Sequence, residues 1–317
     1  MNNILVTGSN GQLGSEIKKL CHSELDSKSN KYFFTNRDSL DILDEKEIKN
    51  FIELNNINTI INCGAYTAVD KAENDVENAN SVNNLAVKYL AEISKENNIS
   101  LVHISTDYVF DGRNYKPYKE DDKVKPIGVY GQTKLYGENA LLEVNPKNSI
   151  IIRTSWVYSS FGANFVKTML RLGKDKDSLG VIYDQVGTPT YAKDLAKTIL
   201  DILPKLRHSE HNNCHSEHNN RHSELDSESK IEIYHYSNEG VLSWYDFAKE
   251  IMRMAKLNCI INPIESKDYP TPVTRPHYSV LNKSKIKEKF NIEIPYWKDS
   301  LDECLKTMGE RKWNQYY

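Results

Sequence analysis

The sequence predicts a doubly wound α/β fold with a smaller, mostly C-terminal lobe, and three observations carry that expectation. Short β-branched runs alternate with longer helical patterns, a glycine-rich turn joins the first run to the first helix, and the alternation stops near residue 235. The strand runs are NILVT (3–7), KYFFT (31–35), TIIN (59–62), SLVHIS (100–105) and SIIIRT (149–154). They are apolar on both sides, as strands buried in a parallel sheet are. Between them stand the helical stretches EKEIKNFIEL (45–54), VNNLAVKYLAEISKEN (82–97) and GQTKLYGENALLEV (131–144). Strands alternating with helices argue for a parallel sheet covered on both faces. Residues 1–155 are expected to form the large domain, with 175–235 returning to it, and 156–174 with 236–317 to form the smaller lobe.

Bulk properties narrow the function. A chain of 317 residues can bury a sizeable core, and a formal charge of −3 provides no basic field for nucleic acid or an acidic membrane surface. No apolar run approaches the ~18 residues that cross a bilayer, and the start MNNILVTGSNG lacks a signal pattern, so a cytoplasmic protein is expected. Cysteines at 21, 63, 214, 259 and 304 are odd in number and form no CxxC pair. Reduced thiols, with neither a disulfide framework nor a metal site, are the expectation.

Residues 207–230 break the pattern: HSE recurs every seven residues, at 208, 215 and 222, and HSELDS occurs again at 22–27. Such polar repeats do not offset ordering entropy, so the longer copy reads as a disordered inserted loop. Its histidines invite a metal-binding reading, but a spacing of seven implies no ligand geometry.

GSNGQLG (8–14) follows the first strand and opens a helix, which places Gly8, Gly11 and Gly14 where a backbone can approach a pyrophosphate. That context, strand then turn then helix, makes it a Rossmann-type dinucleotide signal with GxxGxxG spacing. At the end of the second strand stand Asn36 and Arg37. Arg37 suits a 2′-phosphate and so NADPH, while Asp38 and Asp41 leave NADH use open.

The reactive end is read from two stretches. SLVHISTDYVFDG (100–112) ends a strand on Ser105, Thr106 and Asp107, at the edge where α/β sheets bind ligands. Three tyrosines have a lysine four residues on: Tyr115 with Lys119, Tyr130 with Lys134, and Tyr245 with Lys249. Pro117 lies inside the first couple, and the third lies far downstream in the smaller lobe. Only Tyr130 and Lys134 fall on the helix following the strand that bears Thr106, on one helical face. A phenol with pKa near 10 gives up its proton slowly at neutral pH, and an adjacent ammonium is expected to lower that value. Tyr130 then quenches the charge that hydride transfer develops on a carbonyl oxygen, Thr106 orients the carbonyl, and Lys134 also bonds the nicotinamide ribose.

GAYTAVDKAE (64–73), STDYVFDG (105–112), PIGVYGQTKLYGE (126–138), RTSWVY (153–158), NFVKTMLRL (164–172) and TPVTRPHYSVLN (271–282) together resemble the dTDP-4-dehydrorhamnose reductase family of extended short-chain dehydrogenases. The resemblance covers nearly the whole chain apart from 21–30 and 207–230. It implies reduction of the 4-keto group of dTDP-4-dehydro-6-deoxy-L-mannose to dTDP-L-rhamnose, a precursor of cell-surface polysaccharide. By the same carry-over, Gly11, Gln12 and Leu13 contact the dinucleotide phosphates, and Asp41 and Ile42 lie near the adenine. Ala65, Tyr66 and Thr67 lie near the adenosine ribose and pyrophosphate. Thr106, Tyr130 and Lys134 match the catalytic trio, while Val69, Asp107, Tyr108 and Trp156 surround the sugar, with Asn164 and Arg275 on the nucleoside diphosphate.

Two departures bear on the expectation. Some members form magnesium-bridged dimers through glutamates; Glu16 matches one, but Lys193 stands where another acid is expected, which argues for a monomer or weak homodimer without that bridge. Cys63 and Gly64 replace alanines before AYTAVD. Two rivals share the glycine turn and the YxxxK spacing. A dehydratase or epimerase of sugar nucleotides is one, though a dehydratase needs an Asp-Glu pair where Asp107-Tyr108 follows Thr106. A non-catalytic reductase-like subunit is the other, and it would be signalled by loss of the tyrosine or lysine, both of which are present.

Overall fold

In the computed structural model, residues 2–23, 30–207 and 230–309 are described. Most of both HSE-containing stretches, including the segment expected to be a disordered insert, lies outside them.

The large sheet has six parallel strands: β1 (Asn2–Thr7), β2 (Asn30–Phe34), β3 (Thr59–Asn62), β4 (Ser100–Thr106), β5 (Ile150–Thr154) and a strand near its far edge, β10 (Glu232–Tyr236). Their order is β10-β5-β4-β3-β1-β2. Alternation along each strand sorts the core. Ile4, Val6, Ile61, Val102, Ile150 and Ile152 face one layer, with α1 (Gln12–Ser23) and α8 (Ala192–Arg207). Leu5, Ile60, Leu101 and Ile151 face the other, with α2 (Glu45–Asn55), α5 (Ala86–Glu96) and α6 (Val129–Val144). Local signals set the helix ends. The Asp44 carboxylate accepts from the Lys46 and Glu47 amides to start α2, and Asn56 closes it in the left-handed region at φ 49°. Between β3 and α5 lie two short helices, α3 (Val69–Ala72) and α4 (Val76–Asn80), and a π-helical turn, Ser81–Leu85.

The smaller core gathers α7 (Phe165–Asp175), α9 (Trp244–Ala255) and α11 (Trp297–Thr307) around Phe247, Ile251, Trp297 and Leu301. Three two-stranded pairings accompany it: β6 (Val157–Tyr158) with β9 (Thr190–Tyr191), β7 (Ser178–Ile182) with β12 (Ile260–Ile264), and β8 (Val186–Gly187) with β11 (Leu242–Ser243). Several pairings cross the division expected from sequence, β8 with β11 and β6 with β9 among them. Strand β7 lies within 175–235 yet pairs with β12, whereas α10 (Ser284–Phe290) sends Ile286 and Phe290 into the core of the large sheet. These exchanges satisfy backbone or apolar surface with partners distant in sequence, which local periodicity does not encode.

Helix α6 sits unusually close to its neighbours. A Cβ on Gly137 would lie 2.1 Å from the Asn83 carbonyl oxygen in the π-turn, inside any permitted contact. Alanine there raises helix propensity by ~1 kcal/mol, but the overlap outweighs it at about 1–3 kcal/mol. Gly137→Ala is therefore expected to lower the urea midpoint at unchanged m-value; a raised midpoint would show the approach to be looser.

Candidate active site

The strand order reverses between β1 and β3, which opens a crevice at their carboxyl ends. Gly8 closes β1 with φ +62°, and a Cβ on it would stand 2.6 Å from the Gly64 amide nitrogen after β3. A Cβ on Gly14 would stand 2.6 Å from the Gly8 carbonyl oxygen. Hydrogen is the only side chain these two positions admit, and the N-terminus of α1, which has no acidic residue in its first turn, points its free N–H groups from this turn.

A cavity of about 670 Å³ lies beside the glycine turn, lined by Gly8, Gly11, Asn36, Arg37, Asp41, Ile42, Ala65 and Tyr66, all expected from sequence. Asn36 Oδ1 accepts from the Asp38 and Ser39 amides at 3.0 and 3.1 Å, and Asp41 Oδ1 from the Leu43 amide at 3.0 Å. These two side chains brace the rim, while the Arg37 side chain is exposed there. The rim also holds Lys71, Asp75 and Asn78, none of them anticipated. The Tyr66 hydroxyl donates to Asp75 at 2.9 Å, and Lys71 lies 3.6 Å from the same carboxylate. Buried Asn83 accepts from the Tyr66 amide at 2.9 Å and donates to the Tyr66 carbonyl at 3.1 Å and to Thr133 at 3.2 Å, tying this loop to α6. An asparagine inside a helical stretch carries no signal of that role.

Three expected cofactor residues stand differently. The Leu13 side chain is in the core, so only its backbone faces the turn. Gln12 donates to the Val157 carbonyl and accepts from Asn164 at 3.0 Å, and Thr67 is exposed outside the cavity lining. Cys63, flanking Gly64, is a burial-suppressed thiol, pushed up to about 12.

At the reactive end, glycine again sets a close approach: a Cβ on Gly131 would lie 2.2 Å from the Tyr108 carbonyl oxygen. Helix α6 is thereby pressed onto the turn after β4. The Glu73 carboxylate caps it by accepting from the Val129 amide at 2.8 Å. Tyr130 meets Tyr108 edge-on at 5.4 Å and has the Thr106 hydroxyl beside it. Thr106 donates to Asp107 Oδ1 at 3.0 Å and accepts from the Tyr108 amide at 3.2 Å. Lys134, only 2% exposed, donates to the Ile104 carbonyl at 2.6 Å and lies 3.3 Å from His103 Nε2.

The expected acidification of the phenol is not what this arrangement produces. Burial pushes the Tyr130 phenol up to about 12, with Asp107 adding to the rise and Thr106 opposing it. Burial also pushes Lys134 down to about 8, and its bonds are spent on β4. Desolvation disfavours both charged forms at once, so phenolate and ammonium are each suppressed in this conformation.

Two expected sugar-nucleotide contacts are committed to packing. Trp156, at φ +48°, stacks on Trp244 with centroids 3.6 Å apart, and the space a Gly187 Cβ would need is filled by its indole. Asn164 caps α7 through the Lys167 amide and holds Gln12 and the Ser159 carbonyl. Arg275 donates to Asp70 at 2.7 Å and faces Tyr108. Val69 opens the short helix α3 that carries Asp70. Glu16 is fully buried and accepts from Ser159 at 2.7 Å, while Lys193 pairs with Glu303. Among the described residues no group of three or more His, Cys, Asp or Glu is placed to hold a metal, and no helix is long and apolar enough to cross a membrane.

The six-stranded parallel sheet and its glycine crevice define a Rossmann-type nucleotide-binding fold, with Thr106 beside Tyr130 and Lys134 one turn further along the same helix. The family model described as the RmlD substrate binding domain matches residues 1–310. A dTDP-4-dehydrorhamnose reductase of Aggregatibacter actinomycetemcomitans is 40% identical over 307 residues, 95% of this chain and 97% of its own. The spore coat polysaccharide biosynthesis protein SpsK of Bacillus subtilis is 35% identical over 96% of this chain and 98% of its own. Among solved structures, a dTDP-4-dehydrorhamnose reductase of Clostridium acetobutylicum superposes with TM-score 0.84 at 38% identity, covering 97% of this chain and 99% of that one. Another, from Bacillus anthracis in complex with NADP, gives 0.85 at 31% identity over 97% and 100%. The chain belongs to the RmlD family of dTDP-4-dehydrorhamnose reductases.

Asp107, 2% exposed, is raised by burial from 3.8 to about 7, against the Thr106 and Ser279 hydroxyls. The folded carboxyl keeps its proton where the unfolded one has lost it, so this group costs stability as pH rises from 3.8 to about 7. Asp107→Asn is expected to gain on the unaltered chain across that window, by on the order of a few kcal/mol above it, in urea melts at stepped pH. A pH-independent difference would place the carboxyl in water.

Proposed function

We propose that this chain reduces the 4-keto group of dTDP-4-dehydro-6-deoxy-L-mannose with NADPH, giving dTDP-L-rhamnose, and that NADH serves less well. The observation that carries the reading is the juxtaposition of Thr106 and Tyr130 on the edge of the sheet that holds the glycine crevice. The crevice suits a dinucleotide: two backbone positions there exclude even a methyl group, and the neighbouring cavity is of about 670 Å³. Gly8, Gly11 and the α1 N-terminus would hold the pyrophosphate, Ala65 and Tyr66 the adenosine half, and Arg37, exposed at the rim, the 2′-phosphate. When bound, the nicotinamide would supply the hydride that the carbonyl carbon takes up.

The chain's own residues do the remainder. A carbonyl oxygen set beside the Thr106 hydroxyl and the Tyr130 phenol takes the phenolic proton as negative charge develops on it. Because burial keeps that phenol protonated at neutral pH, the donor is loaded before substrate arrives. Lys134, one turn along α6, is the cation that balances the phenolate left behind, and it must give up its bond to Ile104 to do so. Asp107, Tyr108, Val69 and Arg275 surround the sugar diphosphate, with Arg275 exchanging Asp70 for a phosphate. Trp156 and Asn164 act through packing, holding the lobe that carries them. Glu16 is buried against Ser159 and Lys193 is paired with Glu303, which supports a reading in which no magnesium ion is shared there.

Purified chain is expected to oxidise NADPH only when the 4-keto dTDP-sugar is present. Tyr130→Phe should cut turnover by ~10²–10⁴-fold while NADPH binding by fluorescence stays unchanged. Normal turnover in that variant removes Tyr130 as the acid.

A further inference from the structure

A chain of buried polar groups runs beneath the site. The Thr7 hydroxyl at the end of β1 donates to Asn62 Oδ1 at 2.7 Å, and the Gly64 amide donates to the same oxygen at 3.1 Å. A backbone N–H is a donor only, so the Asn62 amide is fixed with its oxygen toward Gly64 and its NH₂ toward His103. Asn62 Nδ2 lies 3.1 Å from His103 Nδ1, which therefore accepts. His103 is fully buried, and its charge is suppressed first by that burial and then by Lys134, so the ring is neutral with its one proton on Nε2. That N–H points at Lys134 Nζ, 3.3 Å away. An ammonium has three donors and no acceptor, so it would oppose the imidazole N–H, whereas a free amine offers it a lone pair and still donates to Ile104.

We infer that His103, locked in one tautomer by Asn62, is a positioning residue that favours the free-amine form of Lys134 beneath the site, against the ammonium the lysine becomes on swinging to Tyr130. The inference rests on the reductase reading given above. Leaving the pocket, the lysine escapes the opposing imidazole N–H, and any free amine takes one proton from solvent, so that it stands as the ammonium a phenolate needs. The charged groups facing the pair are few. Glu138, one turn further along α6 and bonded by Arg153 from β5, draws a proton toward Lys134, and Asp107 acts on Tyr130. From β3 and β1 the facing groups, Asn62 and Thr7, are neutral.

Nitrogen NMR on the full chain labelled at histidine and lysine tests this without turnover, His103→Phe serving to assign the ring signals. The unaltered chain is expected to show His103 protonated at Nε2 and bare at Nδ1 at neutral pH, and Lys134 Nζ titrating near 8. Asn62→Asp accepts from Nδ1 and should move the ring proton there. In both variants the Lys134 titration should rise by about one pH unit, the size one ordinary hydrogen bond carries. The alkaline fall of kcat/KM should move with it, whereas a merely structural role would lower the rate equally at every pH. A proton on Nδ1 in the unaltered chain, or a Lys134 titration unmoved in both variants, overturns the inference. Absence of turnover with the dTDP-sugar would sink the reductase reading, while the ring-nitrogen spectrum would still decide the tautomer.

Discussion

Everything at the reactive end depends on how closely α6 approaches the turn after β4. Gly131 makes that approach against the Tyr108 carbonyl, and Gly137 makes a second one, against the Asn83 carbonyl in the π-turn. With a methyl group at either place the helix would stand off, and Tyr130 would leave Thr106 while Lys134 left the underside of β4. The helix that carries the chemistry is thus placed by side chains it lacks. The same device works at the other end of the crevice, where Gly8 lies against Gly64 and brings the two strand ends at the switch point together.

Close packing has an electrostatic consequence. Enclosure raises the phenol to about 12 and lowers the amine to about 8, desolvation leading both shifts. The acid therefore waits protonated and the lysine is held nearer its neutral form than a free lysine would be, rather than the two standing as an ion pair. The proposed reaction converts one into phenolate, and the lysine's movement provides the compensating charge when it is needed.

Much of this was legible in the sequence. The five strand runs before residue 155 lie where β-branched clusters put them, and the helix bearing Tyr130 and Lys134 begins beside the expected glycine. Proline and chain position pointed to one of three tyrosine–lysine couples, and its tyrosine lies beside Thr106. Contacts between segments remote in sequence were not legible. Trp156 reads as a sugar-facing aromatic, and nothing in its own stretch of sequence tells that Trp244 stacks on it. His103 reads as one polar residue in an apolar strand until β3 is laid alongside, where Asn62 is its register partner. Pairings of this kind depend on sheet register, and a linear pattern holds no record of which side chains become neighbours across strands.

The most direct measurement is a crystal structure of the chain with NADP⁺ and a dTDP-hexose, read for one distance. The account predicts the Tyr130 phenolic oxygen within about 2.6–3.2 Å of the sugar oxygen at C4, with Lys134 turned from Ile104 toward the phenol. A sugar whose C4 oxygen is held by another group, while the phenol stays against Thr106, would contradict it.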